Sequence, residues 1–222
     1  MQTASSKKIK PLKRQRSKRS AFARLPSQNT IDRMGSEKLL SRDETIFRKG
    51  QSAAAIYKVE SGCIKTYSNL RNGRPMIIAF YFPGDYFGLE LRKRHIISAE
   101  TITPSMVIVI SKKTLISLAA NGVSVAENML AITNVELQRV QNHSLLLRNS
   151  AYERVANFLF EMKQRNRRKE VDLFMTRQDI ADHLNLTIET VSRTLKRLKR
   201  KSVISNLTWR RVTVHLRKRI AA

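Results

Sequence analysis

The chain reads as an α+β protein: an N-terminal all-β sandwich or roll, a long helix, and a C-terminal winged helix-turn-helix. Three observations predict this. Gly50, Gly62, Gly73 and Gly84 recur at spacings of 12, 11 and 11, with apolar, β-branched or aromatic stretches between them. That is the rhythm of short strands and turns. Asn121 to Arg148 then runs without proline. Finally, Thr176 to Lys201, TRQDIADHLNLTIETVSRTLKRLKRK, holds two short helical periods parted by Asn185. A chain of 222 residues with 41% apolar content is enough for one large or two small packed domains. The boundaries fall at a basic tail (1–30), a β domain (31–120), a helix (121–149) and a C-terminal domain (150–222).

The tail, with KKIKPLKRQRSKRS, has little to bury and is expected to be disordered when free. It either adds phosphate contacts or remains a solvated cationic arm. In the β domain, Asn72-Gly73 is a hairpin signal, because a type I′ turn requires positive φ at both central residues. It joins CIKTYSNL to PMIIAFYF. Pro83-Gly84-Asp85 supplies the next turn and SAETITPSMVIVI the closing strands. Cys63, the one cysteine, excludes an intrachain disulfide. It is either a small buried hydrophobe or a redox-sensing thiol.

In the long helix Leu130, Thr133, Leu137, Val140, Ser144 and Leu147 recur at alternating spacings of three and four. This is the seam of a two-stranded coiled coil, weakened by its polar members. The competing reading is a helix packed only on its own β domain. Leu145-Leu146-Leu147 is expected to face both a partner and the adjoining domain, with a hinge at Asn149-Ser150.

In the C-terminal domain, Ala151–Lys163 forms a helix with Val155, Ala156, Leu159 and Met162 as its core stripe. Arg165–Glu170 is a basic loop and Val171–Met175 a strand. Thr176 caps the next helix, with Asp179 completing an approximate capping box. Ile180, Ala181 and Leu184 form its apolar stripe. Asn185, which tolerates the left-handed conformation, ends it. Thr187 caps a second helix with Ile188, Val191, Leu195 and Leu198 inward. Glu189, Ser192 and Arg193 share another face of its first turns, where a helix-turn-helix meets base edges. Arg193 can donate two hydrogen bonds to guanine, Glu189 can accept from cytosine or orient the arginine, and Ser192 permits close approach. Lys196, Arg197, Lys199, Arg200 and Lys201 suit phosphate. A merely solvated charged face would not bring paired helices and caps with it. Val203–Asn206 and Arg211–Leu216 can pair as a wing, with Trp209 and Arg210 at its tip either touching DNA or packing inward.

MTRQDIADHLNLTIETVSR resembles the DNA-binding signature of the CRP/FNR family of bacterial transcription regulators, and its IETVSR form is most similar to the FixK branch. The resemblance spans about Ile46 to Leu216. It implies that Glu189, Ser192 and Arg193 read a TTGAT-like half-site. It also implies backbone contacts from Arg177, Gln178, Thr187 and Thr190. Thr176, Lys196 and Lys199 are placed in the same backbone-contacting set. SGCIKTY, NGRPMIIAFYFPGDYFGLE and SAET resemble the double-stranded β-roll (a cyclic-nucleotide-binding-like jelly roll) of that family. Where the family's nucleotide binders carry a glycine, a glutamate and later an arginine, this chain has Gly88, Leu89 and Ile97, then Ser98 and Ala99. Losing that guanidinium removes the group that would neutralise a buried phosphate. Arg92 or Arg94 could replace it only if the register slips. The cysteines of an FNR-type iron–sulfur cluster are missing. The β-roll is therefore read as degenerate, as in FixK-like members, which resemble regulators controlled largely through their own synthesis.

The net charge of +26 selects polyanionic partners. Residues 1–24 alone hold nine Lys or Arg and no acid. No run approaches a membrane helix, and the tail lacks the apolar core of a secretory signal. His95, His143, His183 and His215 show no metal-ligand spacing, and no catalytic motif emerges. The expectation is a cytoplasmic, non-enzymatic regulator without cofactor or metal. It binds a palindromic double-stranded DNA operator as a homodimer and recruits RNA polymerase. The FixK likeness implies low-oxygen or nitrogen-fixation genes. A cyclic-nucleotide-responsive sensor and a nonspecific nucleic-acid binder are the alternatives.

Overall fold

A computed structural model describes residues 31–70, 73–121, 123–166, 170–208 and 210–215. The basic tail, Asn72, Trp209 and Leu216 lie outside the described residues, and so do the expectations that rest on them.

Among the described residues, eight strands build the first domain: β1 (Ser36–Leu40), β2 (Thr45–Phe47), β3 (Ala55–Ser61), β4 (Ile64–Asn69), β5 (Pro75–Tyr81), β6 (Tyr86–Phe87), β7 (Ser98–Thr101) and β8 (Ser105–Ser111). They form two antiparallel sheets, ordered β1-β8-β3-β6 and β2-β7-β4-β5. Val59, Phe87 and Val107 of one sheet meet Phe47, Ile64, Ala79, Tyr81 and Ala99 of the other. The ring of His95 stacks on Phe47 with centroids 3.6 Å apart. Gly62 turns β3 into β4 at φ 91°, and a Cβ there would strike the Ser105 side chain and lie 2.7 Å from the Pro104 carbonyl. No other residue type fits that corner.

The expected type I′ turn at Asn72-Gly73 rests on Asn72 and so lies outside the described residues. Leu70 N–H donates to the Arg74 carbonyl and Gly73 N–H to the Leu70 carbonyl, both at 2.9 Å. Gly73 itself stands at φ 78°, a left-handed position that glycine adopts without strain.

Helical structure begins earlier than Asn121. Helix α1 (Lys112–Asn121) follows β8 directly, and α2 (Val123–Leu146) follows α1. Helix α2 has two apolar faces. Val125 and Ile132 are buried with Ile56, Tyr86, Ile108 and Ile110 of the roll. On the opposite side Leu130, Leu137 and Val140 are 71%, 53% and 51% exposed, and Thr133 and Ser144 are exposed with them. The two competing readings of this helix thus occupy different faces of it. Leu147 is half-buried in the turn beyond its end, and Leu146 packs towards the C-terminal domain.

The C-terminal domain comprises α3 (Ala151–Asn166), β9 (Glu170–Asp172), α4 (Arg177–Leu184), α5 (Ile188–Arg200), β10 (Ile204–Ser205) and β11 (Arg211–Val214). Its three-stranded sheet, ordered β10-β11-β9, forms the wing. Strand β9 is shorter than the expected Val171–Met175. Leu173 and Met175 still enter the core, but beyond Asp172 they no longer pair regularly with β11.

The two domains share one apolar core. Cys63, Ile77, Phe80 and Ile102 of the roll are buried with Phe158, Leu159, Ile180 and Leu184 of the C-terminal domain. Burial pushes the Cys63 thiol well above its usual range, which fits the buried-hydrophobe reading. Ion pairs surround the seam. Asp85 accepts from Arg139 of α2 at 3.0 Å and from Arg165 of α3 at 2.8 Å. Burial alone would raise Asp85, but the two guanidinium groups outweigh it and hold the carboxyl below its usual range. Arg139 also donates to the Phe80 carbonyl at 2.7 Å.

His183 of α4 sits in the same seam, its Nδ1 donating to the Ile77 carbonyl at 3.2 Å and its ring stacked 4.3 Å from that of His143. Burial, then the neighbouring His143, depresses its pKa to about 3 from an ordinary 6.5. Between those values the unfolded chain binds a proton that the folded chain refuses, so stability rises with pH across that window. The melting temperature should fall as pH drops below about 6.5. The loss attributable to this histidine is at most about 1.4 kcal/mol per pH unit. His183→Gln should flatten the slope in a pH series of thermal melts.

Candidate DNA-binding site

The helix-turn-helix is built from side chains that close its own helix ends. The Thr176 side chain accepts from Asp179 N–H at 3.0 Å, and Asp179 returns the bond from Thr176 N–H at 2.8 Å. This full capping box starts α4. Asn185 ends it at φ 51°, ψ 51°. Two residues later the Thr187 hydroxyl accepts from Thr190 N–H at 3.2 Å and starts α5. Ile180, Ala181 and Leu184 are buried as expected.

The inward face of α5 differs by one residue from the expected set. Val191, Leu195 and Leu198 are buried, but Ile188 is 36% exposed and Thr194 takes the fourth inner position at 8%. Ile188 opens the first turn, before the helix has come under the domain. Thr194 completes the i, i+3, i+4, i+7 stripe.

Glu189 and Arg193 are exposed and Ser192 half-buried between them, on the outward face of the first two turns. Hydrogen bonds from its own backbone N–H and from Thr187, then the charge of Arg193, hold the Glu189 carboxyl below its usual range. It is ionised and ready to accept. Of the trio Arg193 lines a shallow open groove, together with Thr190, Lys196, Arg197, Lys199 and Arg200. Arg197 and Lys201, expected on phosphate, are exposed, and their cations also lie over the ring of Tyr152 at 4.9 and 5.4 Å. The indifferent spacing of basic residues gave no hint that an aromatic ring would hold two of them. Gln178 is exposed and Arg177 half-buried at the start of α4. The hydroxyls of Thr176, Thr187 and Thr190 are engaged in capping bonds.

The residues missed from sequence lie behind this face. Lys65 of β4 pairs with Asp179 at 3.3 Å, and Arg74 pairs with Asp182 at 2.9 Å. One signal was available, since Asp179 and Asp182 stand three apart and so share a side of α4.

In the roll, the positions compared above with the family's nucleotide binders make contacts of their own. Leu89 and Ile97 pack against apolar clusters and Ala99 is fully buried. Glu90 engages His95 through Nδ1. Ser98 accepts from Lys49 N–H at 3.0 Å, and Arg94 donates to the Gly50 carbonyl at 2.7 Å rather than reaching inward. Among the described residues no group of three His, Cys, Asp or Glu side chains could hold a metal ion. No described helix is long and apolar enough to cross a membrane.

Residues 153–222 match the Crp-like helix-turn-helix domain, and residues 37–121 the cyclic nucleotide-binding domain. The nitrogen fixation regulation protein FixK of Azorhizobium caulinodans is 39% identical over 84% of this chain and 78% of its own length. The chain belongs to the CRP/FNR family, in its FixK-like branch. The transcriptional activatory protein AadR of Rhodopseudomonas palustris is 37% identical over 72% of this chain and 70% of its own. The structure of FixK2 from Bradyrhizobium japonicum superposes with a TM-score of 0.77 at 37% identity, covering 82% of this chain and 93% of that one. This FixK-like protein is accordingly a DNA-binding transcription regulator, with the β-roll, helix and winged helix-turn-helix of its family.

The Thr187 cap generates a test. Thr187→Ala should lower stability by about 0.5–2 kcal/mol, read from the denaturation midpoint, and Thr187→Ser should restore most of it.

Proposed function

We propose that this regulator works as a homodimer that reads a palindromic DNA operator with TTGAT-type half-sites. The observation that carries this reading is the placement of Glu189, Ser192 and Arg193 together on the outward face of α5. Arg193 bonds guanine through its two parallel donors, Glu189 accepts from a cytosine amino group, and Ser192 lets the helix approach closely. Arg177 and Gln178 at the start of α4, with Thr176, Thr187 and Thr190 around the turn, meet the DNA backbone on either side. Lys196 and Lys199 neutralise phosphates further along.

The exposed stripe of α2 supports assembly. Leu130, Leu137 and Val140 are apolar side chains left in water, with Thr133 and Ser144 between and beyond them and Leu147 at the end. A second copy covers this seam in a twofold coiled coil, and the two α5 helices then enter successive major grooves about 34 Å apart. Bound in this way in the cytoplasm, the protein activates transcription by recruiting RNA polymerase and performs no catalysis itself. Low-oxygen or nitrogen-fixation genes are its expected targets, as the names of its FixK relatives suggest.

Selection of bound sequences from random duplex DNA by the purified protein tests the reading. A symmetric element that keeps its preference in rising salt is the expected result. Recovery of no symmetric element, with binding that collapses uniformly in salt, leaves only a cationic packager. Arg193→Ala should cost about 1–3 kcal/mol of operator affinity and relax discrimination at one guanine per half-site. Leu137→Glu should yield a monomer by sedimentation and lose tight operator binding, while its circular dichroism stays native.

A further inference from the structure

The turn between α4 and α5 is braced by two arginines, one from each domain. Arg154 of α3 donates through Nη1 to the Leu184 carbonyl at 3.1 Å and the Asn185 carbonyl at 3.4 Å, and through Nε to the Asn149 carbonyl at 2.8 Å. The next carbonyl, that of Leu186, accepts at 2.7 Å from Nη2 of Arg74, which stands in the β4–β5 connection of the roll. These are carbonyls that a helix end leaves without intrahelical donors, and cations are favoured there. The same Arg74 guanidinium donates from Nε to Asp182 Oδ1 at 3.0 Å. The Asp182 side chain is only 4% exposed, and Gln178 supplies a further hydrogen bond to it at 2.9 Å. Leu186 N–H is itself held by the Ala181 carbonyl at 2.9 Å. One residue later Thr187 caps the base-reading helix.

We infer that Arg74 is a positioning residue for base reading: from the β-roll it fixes the Asp182 carboxylate and the Leu186 carbonyl, and so sets the pose of α5. A planar fork can hold a carboxylate and a carbonyl at once, which a lysine ammonium on a flexible stem does poorly. Arg154 holds the turn to its own domain, and Arg74 refers the same turn to the roll. The two therefore do different things to DNA recognition. A base-reading side chain misplaced by a fraction of a bond length loses its paired hydrogen bonds, whereas a phosphate contact tolerates the shift.

This inference rests on base reading by Glu189, Ser192 and Arg193, and the experiment separates the two. Full-length Arg74→Ala, Arg74→Lys and Arg74→Ala/Asp182→Asn variants are titrated with the selected operator and with a scrambled duplex of equal length. Amide hydrogen exchange is followed at Leu186–Thr190. Arg74→Ala should weaken operator binding roughly tenfold or more, a coupling of ordinary size for one bridged network. Binding to the scrambled duplex should stay within about twofold, because a residue that touches no phosphate leaves the salt-dependent part intact. Exchange at Leu186–Thr190 should accelerate. Arg74→Lys should recover little of the operator affinity, and the double variant should lose no more than Arg74→Ala.

An equal loss on both duplexes would make Arg74 a phosphate contact and overturn the inference. So would a lowered melting temperature with operator affinity and amide exchange unchanged. If Arg74→Ala does not fold, Arg74→Lys carries the test, and native operator affinity in that variant overturns it. Failure of the base-reading assignment itself appears elsewhere, as unaltered guanine discrimination in Arg193→Ala.

Discussion

Asp85 is the point on which the three parts of the chain converge. It lies in the turn after β5, with Arg139 of the long helix on one oxygen and Arg165 of the first C-terminal helix on the other. Phe82 N–H, in the same turn, donates to it at 3.0 Å. A carboxylate taken out of water is costly unless its oxygens are satisfied, and here each is met by a guanidinium from a different element. Neutralising Asp85 would leave each guanidinium the acid on its own helix, Glu136 for Arg139 and Glu161 for Arg165. The apolar core through Cys63, Phe80 and Phe158 supplies attraction between the domains but no direction. The ion pairs supply the direction, so the orientation of the DNA-binding face is set by a few polar contacts on an otherwise greasy seam.

The parts of the fold that were legible in the sequence are those governed by local chemistry. Thr176 with Asp179, Asn185 and Thr187 mark helix ends because their side chains or backbone preferences close those ends by themselves, and each does so in the structure. The same holds for the outward trio on α5, since helical period alone decides which residues share a face. What was not legible depends on partners distant in sequence. The place of Thr194 inside and Ile188 outside follows from where α3 covers α5. Arg197 and Lys201 looked like their neighbours Lys196 and Lys199 until Tyr152 was placed beneath them.

The contacts between roll and helix-turn-helix are the largest omission, and the reason is general. Lys65 and Arg74 are more than a hundred residues from Asp179 and Asp182. In a chain carrying 43 Lys and Arg against 17 Asp and Glu, basic residues are too common to single out any two. The scarce acids are the informative ones. At the seam between the domains Asp85, Asp179 and Asp182 each engage a basic residue across it, while many other cations stand on outward faces where a polyanion can reach them. Charge imbalance therefore sorts the surface without any special placement of the basic residues.

Helix α2 behaves mechanically as an axle. Its inner side is fastened to the roll by Ile132, by Tyr81 donating to Glu136 and by Arg139, while the exposed stripe passes within one residue of Glu136, at Leu137. Successive residues on a helix are turned by about 100°, so any twist imparted at the roll reappears undiminished on the outer side. Displacing a single strand of the roll by a small distance would rotate that stripe about the helix axis. The direction in which that exposed stripe faces is thereby set by strands on the far side of the helix.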